Sequence, residues 1–103
     1  MDAQMKKGLL DVCVLALLRR GDSYGYELIS ALSGIIEISE STLYPILKRL
    51  EGIGQVVTYS REHNGRLRRY YRITADGKKR LKEFDDEWKQ MEKINAFVQG
   101  GDY

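Results

Sequence analysis

A chain of 103 residues, 43% apolar and 31% charged, is sized for one domain with an appendage. One cysteine and one histidine exclude an internal disulfide and a Cys-rich zinc centre; Cys13, among Val12, Val14 and Leu15, reads as a buried inert thiol, and no metal or cofactor is expected. The net charge of +2 hides an uneven distribution: residues 41–72 hold seven Lys and Arg against Glu51 and Glu62, whereas residues 81–103 hold three Lys against six acids. A basic middle and an acidic end suit a face that binds a polyanion and a part that avoids it.

Lys6-Lys7 and the run GLLDVCVLALL imitate a secretion signal, but Asp11 interrupts the run, Arg19-Arg20 follow it and no small-residue cleavage site appears. The run also falls far short of the roughly 20 residues of a membrane span, so a cytoplasmic location is expected. Ala3–Arg19 reads as a first helix, with Leu9, Leu10, Val12, Cys13, Val14, Leu15, Leu17 and Leu18 on nearly all sides. Such a helix must be covered from more than one direction, a first hint of a partner subunit.

Gly21-Asp22-Ser23 stops that helix, and a second is expected from about Tyr24 to Ser33 with Tyr24, Leu28, Ala31 and Leu32 inside. Gly25 within it costs ~1 kcal/mol relative to Ala, which points to a close neighbour, packed protein before DNA phosphate. After Gly34, Ile36-Glu37-Ile38 alternates like a short strand.

Ser41–Leu50, STLYPILKRL, organises the rest. Leu43, Ile46, Leu47 and Leu50 recur at i, i+3, i+4 and i+7, one apolar stripe of a helix. The opposite arc holds Ser41, Pro45, Lys48 and Arg49, flanked by Thr42 and Tyr44. A recognition helix in a DNA major groove divides its faces this way, although the stripe alone suits any amphipathic surface helix. Ser39 or Ser41 caps it; Pro45 favours the later start, since proline sits without loss only in a first turn.

In Val56–Ile73, VVTYSREHNGRLRRYYRI, Asn64-Gly65 is a strong type I′ hairpin signal. That turn sets His63 against Arg66, Arg61 against Arg68 and Tyr59 against Tyr70. One face then carries Tyr59, Arg61, His63, Arg66, Arg68, Tyr70 and Arg72, and the other Val56, Leu67, Tyr71 and Ile73 as the core side. Cations at an exposed hairpin tip suit phosphate or minor-groove contact. Thr74 caps a last helix in which Leu81, Phe84, Trp88, Met91, Asn95 and Val98 follow the 3-4-3-4-3 spacing of an a/d seam. The seam is too short to stand alone but suits pairing with the first helix, while Gln99–Tyr103 looks frayed. No catalytic set is visible: Asp85-Asp86-Glu87 point in different directions from one helix, so no enzyme is expected.

The order helix, helix, helix, basic hairpin, helix describes a mainly α chain with a β-hairpin wing: a winged helix-turn-helix over residues 1–74 and a dimerisation helix with its tail over 75–103. GDSYGYELISAL, STLYPILKRLEGIGQV and GRLRRYYRITADGKKRL resemble, in order, the YGYEL, TLYP-x-L-x-RLE and R-x-YY-x-IT-x-x-G patterns of the PadR family of bacterial transcriptional regulators, short subfamily. The resemblance implies a homodimer on an inverted-repeat operator, usually a repressor. It implies DNA contacts from Ser41, Thr42, Tyr44, Lys48 and Arg49 and from the wing at Asn64, Gly65, Arg66 and Arg68, with Tyr24 and Tyr26 near the backbone. It implies a planar aromatic effector against Trp88, near Phe84 and Met91; the other expectation for Trp88 is plain packing of the dimer seam. The seam and the first helix give an expected interface of Leu9, Val12, Leu81, Phe84, Trp88, Met91, Asn95 and Val98. Rival expectations are a winged-helix protein adaptor and a nonspecific nucleic-acid binder.

Overall fold

The computed structural model describes residues 1–101; the last two residues of the tail expected to fray lie outside them. Elements follow as α1 (Ala3–Arg20), β1 (Ser23–Tyr24), α2 (Gly25–Leu32), α3 (Glu40–Gly52), β2 (Val56–His63), β3 (Arg66–Ile73) and α4 (Ala75–Val98). The three strands form an antiparallel sheet in the order β1-β3-β2. This is a winged helix with one further helix, and no described helix is long and apolar enough to cross a membrane.

The core draws on every layer. Val14, Leu15 and Leu18 of α1 pack with Leu28 and Leu32 of α2, with the α3 stripe of Leu43, Ile46, Leu47 and Leu50, and with Val56 and Tyr71 of the sheet. Leu43 and Leu47 are wholly enclosed, and each such side chain stabilises the fold by about 1.5–3 kcal/mol. The α3 stripe therefore fixes which arc of that helix faces outward.

Asn64 and Gly65 both adopt positive φ, 53° and 77°, the turn that asparagine and glycine accept most readily. The register follows, with His63 opposite Arg66, Arg61 opposite Arg68 and Tyr59 opposite Tyr70.

Four local expectations are corrected. Ile36-Glu37-Ile38 forms no strand; Ile36 and Ile38 pack from a loop onto the core, and their alternation reflects that. Tyr24 lies in β1 opposite Tyr70, not on the inner stripe of α2, so its ring joins the outer face of the sheet. α3 starts before Ser41, with Ser39 as cap, so Pro45 falls in the second turn and the Ser41 carbonyl loses its i+4 donor. Both residues are exposed, so the carbonyl left without its donor is not buried. Leu67 is 76% exposed because the hairpin has run past the core by that point, although its strand parity matches buried Tyr71.

The Thr74 hydroxyl accepts the Gly77 N–H (3.2 Å) and donates to the Gly54 carbonyl (2.6 Å), while the Thr74 N–H donates to the Gln55 carbonyl (3.1 Å). A Cβ on Gly77 would stand 2.5 Å from the Gln55 oxygen, so only glycine lets α4 start against the α3–β2 junction.

Candidate nucleic-acid interface

A cleft of about 430 Å³ opens where α2 begins, between α3 and the wing. Tyr26, Tyr44, Arg66, Leu67, Arg68 and Arg69 are among its walls. Tyr44 reaches it by passing close to Gly25: a Cβ there would collide with the Tyr44 Oη and stand 2.9 Å from Cζ. The glycine is thus explained by a side chain of α3, and it lets the phenol approach the start of α2 closely. Tyr26 is 66% exposed beside it.

The cations divide by what they touch. Arg49 pairs with Asp11 of α1, Arg69 with Glu51, and Arg72 with Asp22. Among the described residues Lys48, Arg61, Arg66 and Arg68 form no ion pair. Arg61 still lies within electrostatic reach of Asp22, so the charge without a neighbouring acid is that of Lys48 on α3 and of Arg66 and Arg68 on the wing.

Of the residues singled out for nucleic-acid contact, Tyr44, Arg66 and Arg68 meet in the cleft. Ser41, Thr42 and Lys48 are exposed on α3, and Asn64 and Gly65 on the hairpin tip. Arg49 and Thr42 line a different hollow, with Lys6, Lys7 and Ile38 between α1 and α3. Tyr26, expected near the DNA backbone, lines the cleft as well, whereas Arg69 was missed by sequence reasoning. Arg69 has the strand parity of the core face, and only its position beyond the core brings it to the cleft.

The outer face of the sheet is a stack of rings and guanidinium groups. Arg68 lies 4.5 Å over Tyr24, Arg61 5.4 Å from Tyr70, and Arg72 5.0 Å over Tyr59. Tyr59 stacks on Tyr70 at 5.6 Å, and Tyr24 meets Tyr70 edge-on at 5.5 Å and His63 at 5.6 Å. Tyr70 is buried beneath this layer, although its parity places it opposite the core. A ring face holds a guanidinium without neutralising it, so Arg61 and Arg68 are oriented yet still attract anions. The Tyr59 hydroxyl, and after it Arg72, holds the Asp22 carboxyl below its ordinary range.

The residues singled out for subunit contact fall into two groups. Val12 and Leu81 belong to the core of this chain, with Leu9 and Phe84 half-buried beside them. Trp88, Met91 and Val98 are 46%, 47% and 66% exposed, and Asn95 is exposed too. Phe84 and Trp88 stack at 6.3 Å and border a groove of about 520 Å³ with Leu9, Val12 and Cys13. Burial raises the Cys13 thiol above its usual value. Among the described residues no cluster of His, Cys, Asp or Glu is suited to a metal ion.

The model of the transcriptional regulator PadR-like family matches residues 14–83. A solved structure from Streptococcus mutans UA159 superposes with a TM-score of 0.81 at 42% identity, covering 92% of this chain and 91% of that one. A transcriptional regulator from Clostridium thermocellum gives 0.80 at 38% identity, with 95% and 98% covered. Bacillus subtilis PadR in complex with operator DNA gives 0.68 at 26% identity, with 74% of this chain and 46% of that one covered.

Proposed function

Since the chain belongs to the PadR-like family of transcriptional regulators, we propose that it binds an inverted-repeat operator as a homodimer and acts as a repressor. Residues 1–74 read the DNA, and residues 75–103 join the subunits. Ser41, Thr42, Tyr44 and Lys48 of α3 enter the major groove, while Asn64, Gly65, Arg66 and Arg68 contact the backbone or minor groove beside it. The observation that carries this reading is the cleft between α3 and the wing, where Tyr44 meets Arg66 and Arg68. Arg49, paired with Asp11, contributes to orienting α3 and less to phosphate attraction.

The test is a gel shift on the protein's own upstream DNA, with competitor DNA at two salt concentrations. The expected result is a complex of two chains on half-sites about 34–36 Å apart, surviving competitor. Equal binding of competitor DNA would indicate a nonspecific binder, and no binding at all an adaptor.

A planar aromatic effector between the two copies of Trp88 is the second part of the reading, supported by the Phe84–Trp88 stack, whose indole is exposed, and by Met91 beyond it. Ring stacking attracts flat molecules, cationic ones above all. A planar cationic dye is expected to quench Trp88 fluorescence at micromolar concentration and to release DNA. No quenching, with Trp88→Ala losing only dimer stability, would make Trp88 a packing residue alone.

A further inference from the structure

Two carboxylates grip the base of the wing from opposite faces. On the inner face Glu51, in the last turn of α3, accepts the Thr58 hydroxyl at 2.9 Å and Arg69 at 3.3 Å, while Arg69 donates also to Thr58 at 3.2 Å. On the outer face Asp22, in the corner between α1 and β1, accepts the Tyr59 hydroxyl at 2.6 Å and Arg72 Nε at 3.0 Å. Thr58 and Tyr59 are consecutive residues of β2, paired with Tyr71 and Tyr70 of β3. Both carboxylates therefore hold the same level of the hairpin. Just below it Val56 is buried in the core; beyond it Ser60 and Leu67 are exposed.

We propose that Glu51 and Asp22 are positioning residues for DNA recognition, fixing the angle at which the arginine-bearing wing stands to α3. Two strands projecting beyond their core have few apolar contacts to hold them at one angle, and a two-stranded ribbon is weakly stable by itself. Charge-assisted hydrogen bonds from fixed carboxylates supply the missing restraint. One anchor reaches the wing from α3 and the other from the α1–β1 corner, so the hairpin is held on both faces. The charges themselves work against a polyanion: each acid repels phosphate and pairs with an arginine that would attract it. Their placement makes sense through geometry, not through long-range attraction.

That conflict gives an experiment with opposite signs. The proposal rests on the reading that α3 and the wing meet DNA together. Glu51→Gln and Asp22→Asn each remove a negative charge, so long-range electrostatics alone tightens binding to any DNA. Positioning predicts roughly tenfold weaker binding to the upstream operator, the cost of a lost charge-assisted bond, with binding to random competitor DNA unchanged or tighter. Thr58→Val and Tyr59→Phe leave the charge untouched and suit a strand, and each is expected to give the same selective loss. These neutral variants decide the matter if either carboxylate variant does not fold, as judged by circular dichroism and the melting temperature.

Operator binding that is equal or tighter in Glu51→Gln, or in Thr58→Val and Tyr59→Phe, overturns the positioning role while leaving DNA recognition intact. A wild-type chain that does not prefer its upstream DNA to competitor overturns the recognition reading, and this proposal with it.

Discussion

An Arg66→Ala/Arg68→Ala variant is expected to bind operator DNA at least a hundredfold more weakly than the wild-type chain, in gel shifts at fixed salt. The two guanidinium groups meet in the cleft beside Tyr44, and neither is paired with an acid among the described residues. Each charge-assisted contact is worth about 1.5–3 kcal/mol, so two together reach that factor. The salt slope is the sharper measurement. Two phosphate contacts contribute about 1.8 to it, or roughly tenfold in affinity over a fourfold rise in salt. Lys48→Ala is expected to lower the slope by about half as much. Changes at Ser41 or Thr42 are expected to alter which sequence is preferred, since contacts to base edges specify where phosphate contacts only position. An Arg66/Arg68 variant with wild-type affinity and slope would remove the wing from the interface.

Truncation before Leu81 is expected to leave a poorly soluble or unfolded chain, and the whole chain is expected to sediment at twice its 11.9 kDa. Leu81 closes the core, and Phe84 packs against it. Without them α1 loses its cover on the side of Leu9, Val12, Cys13 and Ala16, which border the same groove. The rest of α4 exposes Trp88, Met91, Ile94, Phe97 and Val98. At about 1.5–3 kcal/mol for each apolar side chain fully buried, covering this face is of the size needed to offset the roughly 4–15 kcal/mol cost of association. A stable, soluble, monomeric fragment of residues 1–80 in sedimentation would contradict the dimer.

The elements governed by strong local rules were legible in the sequence. The α3 stripe has an apolar period that only a helix satisfies, Asn64-Gly65 sets both turn and register, and Thr74 caps α4 as its position suggests. What escaped depends on tertiary context. β1 has two residues, too few for a pattern, and exists because β3 offers it an edge. Strand parity assigned Leu67 to the core and Tyr70 to solvent, but parity names a face without saying how far the core extends or what covers the other side. Aromatic rings and arginines cover Tyr70, and Leu67 is left largely exposed. At the candidate site, Lys48 and Arg49 looked equivalent as neighbouring cations on one arc. Asp11, 38 residues earlier, distinguishes them, and no local pattern announces such a pair.

The start of α4 has a mechanical consequence. Thr74 is tied to Gly54 and Gln55, and Gly77 rests against the Gln55 carbonyl, so this helix is bolted to the short segment that joins α3 to β2. Its 24 residues make a rod of about 36 Å, most of it reaching away from that fulcrum. A tilt of only about five degrees at the fulcrum sweeps the far end of such a rod through roughly 3 Å. The relation runs both ways. A force at the far tip acts with a long lever arm, and the part not taken up where Leu81 and Phe84 pack on the core arrives at Gln55 as a torque over a small angle, at the point where α3 hands over to the wing.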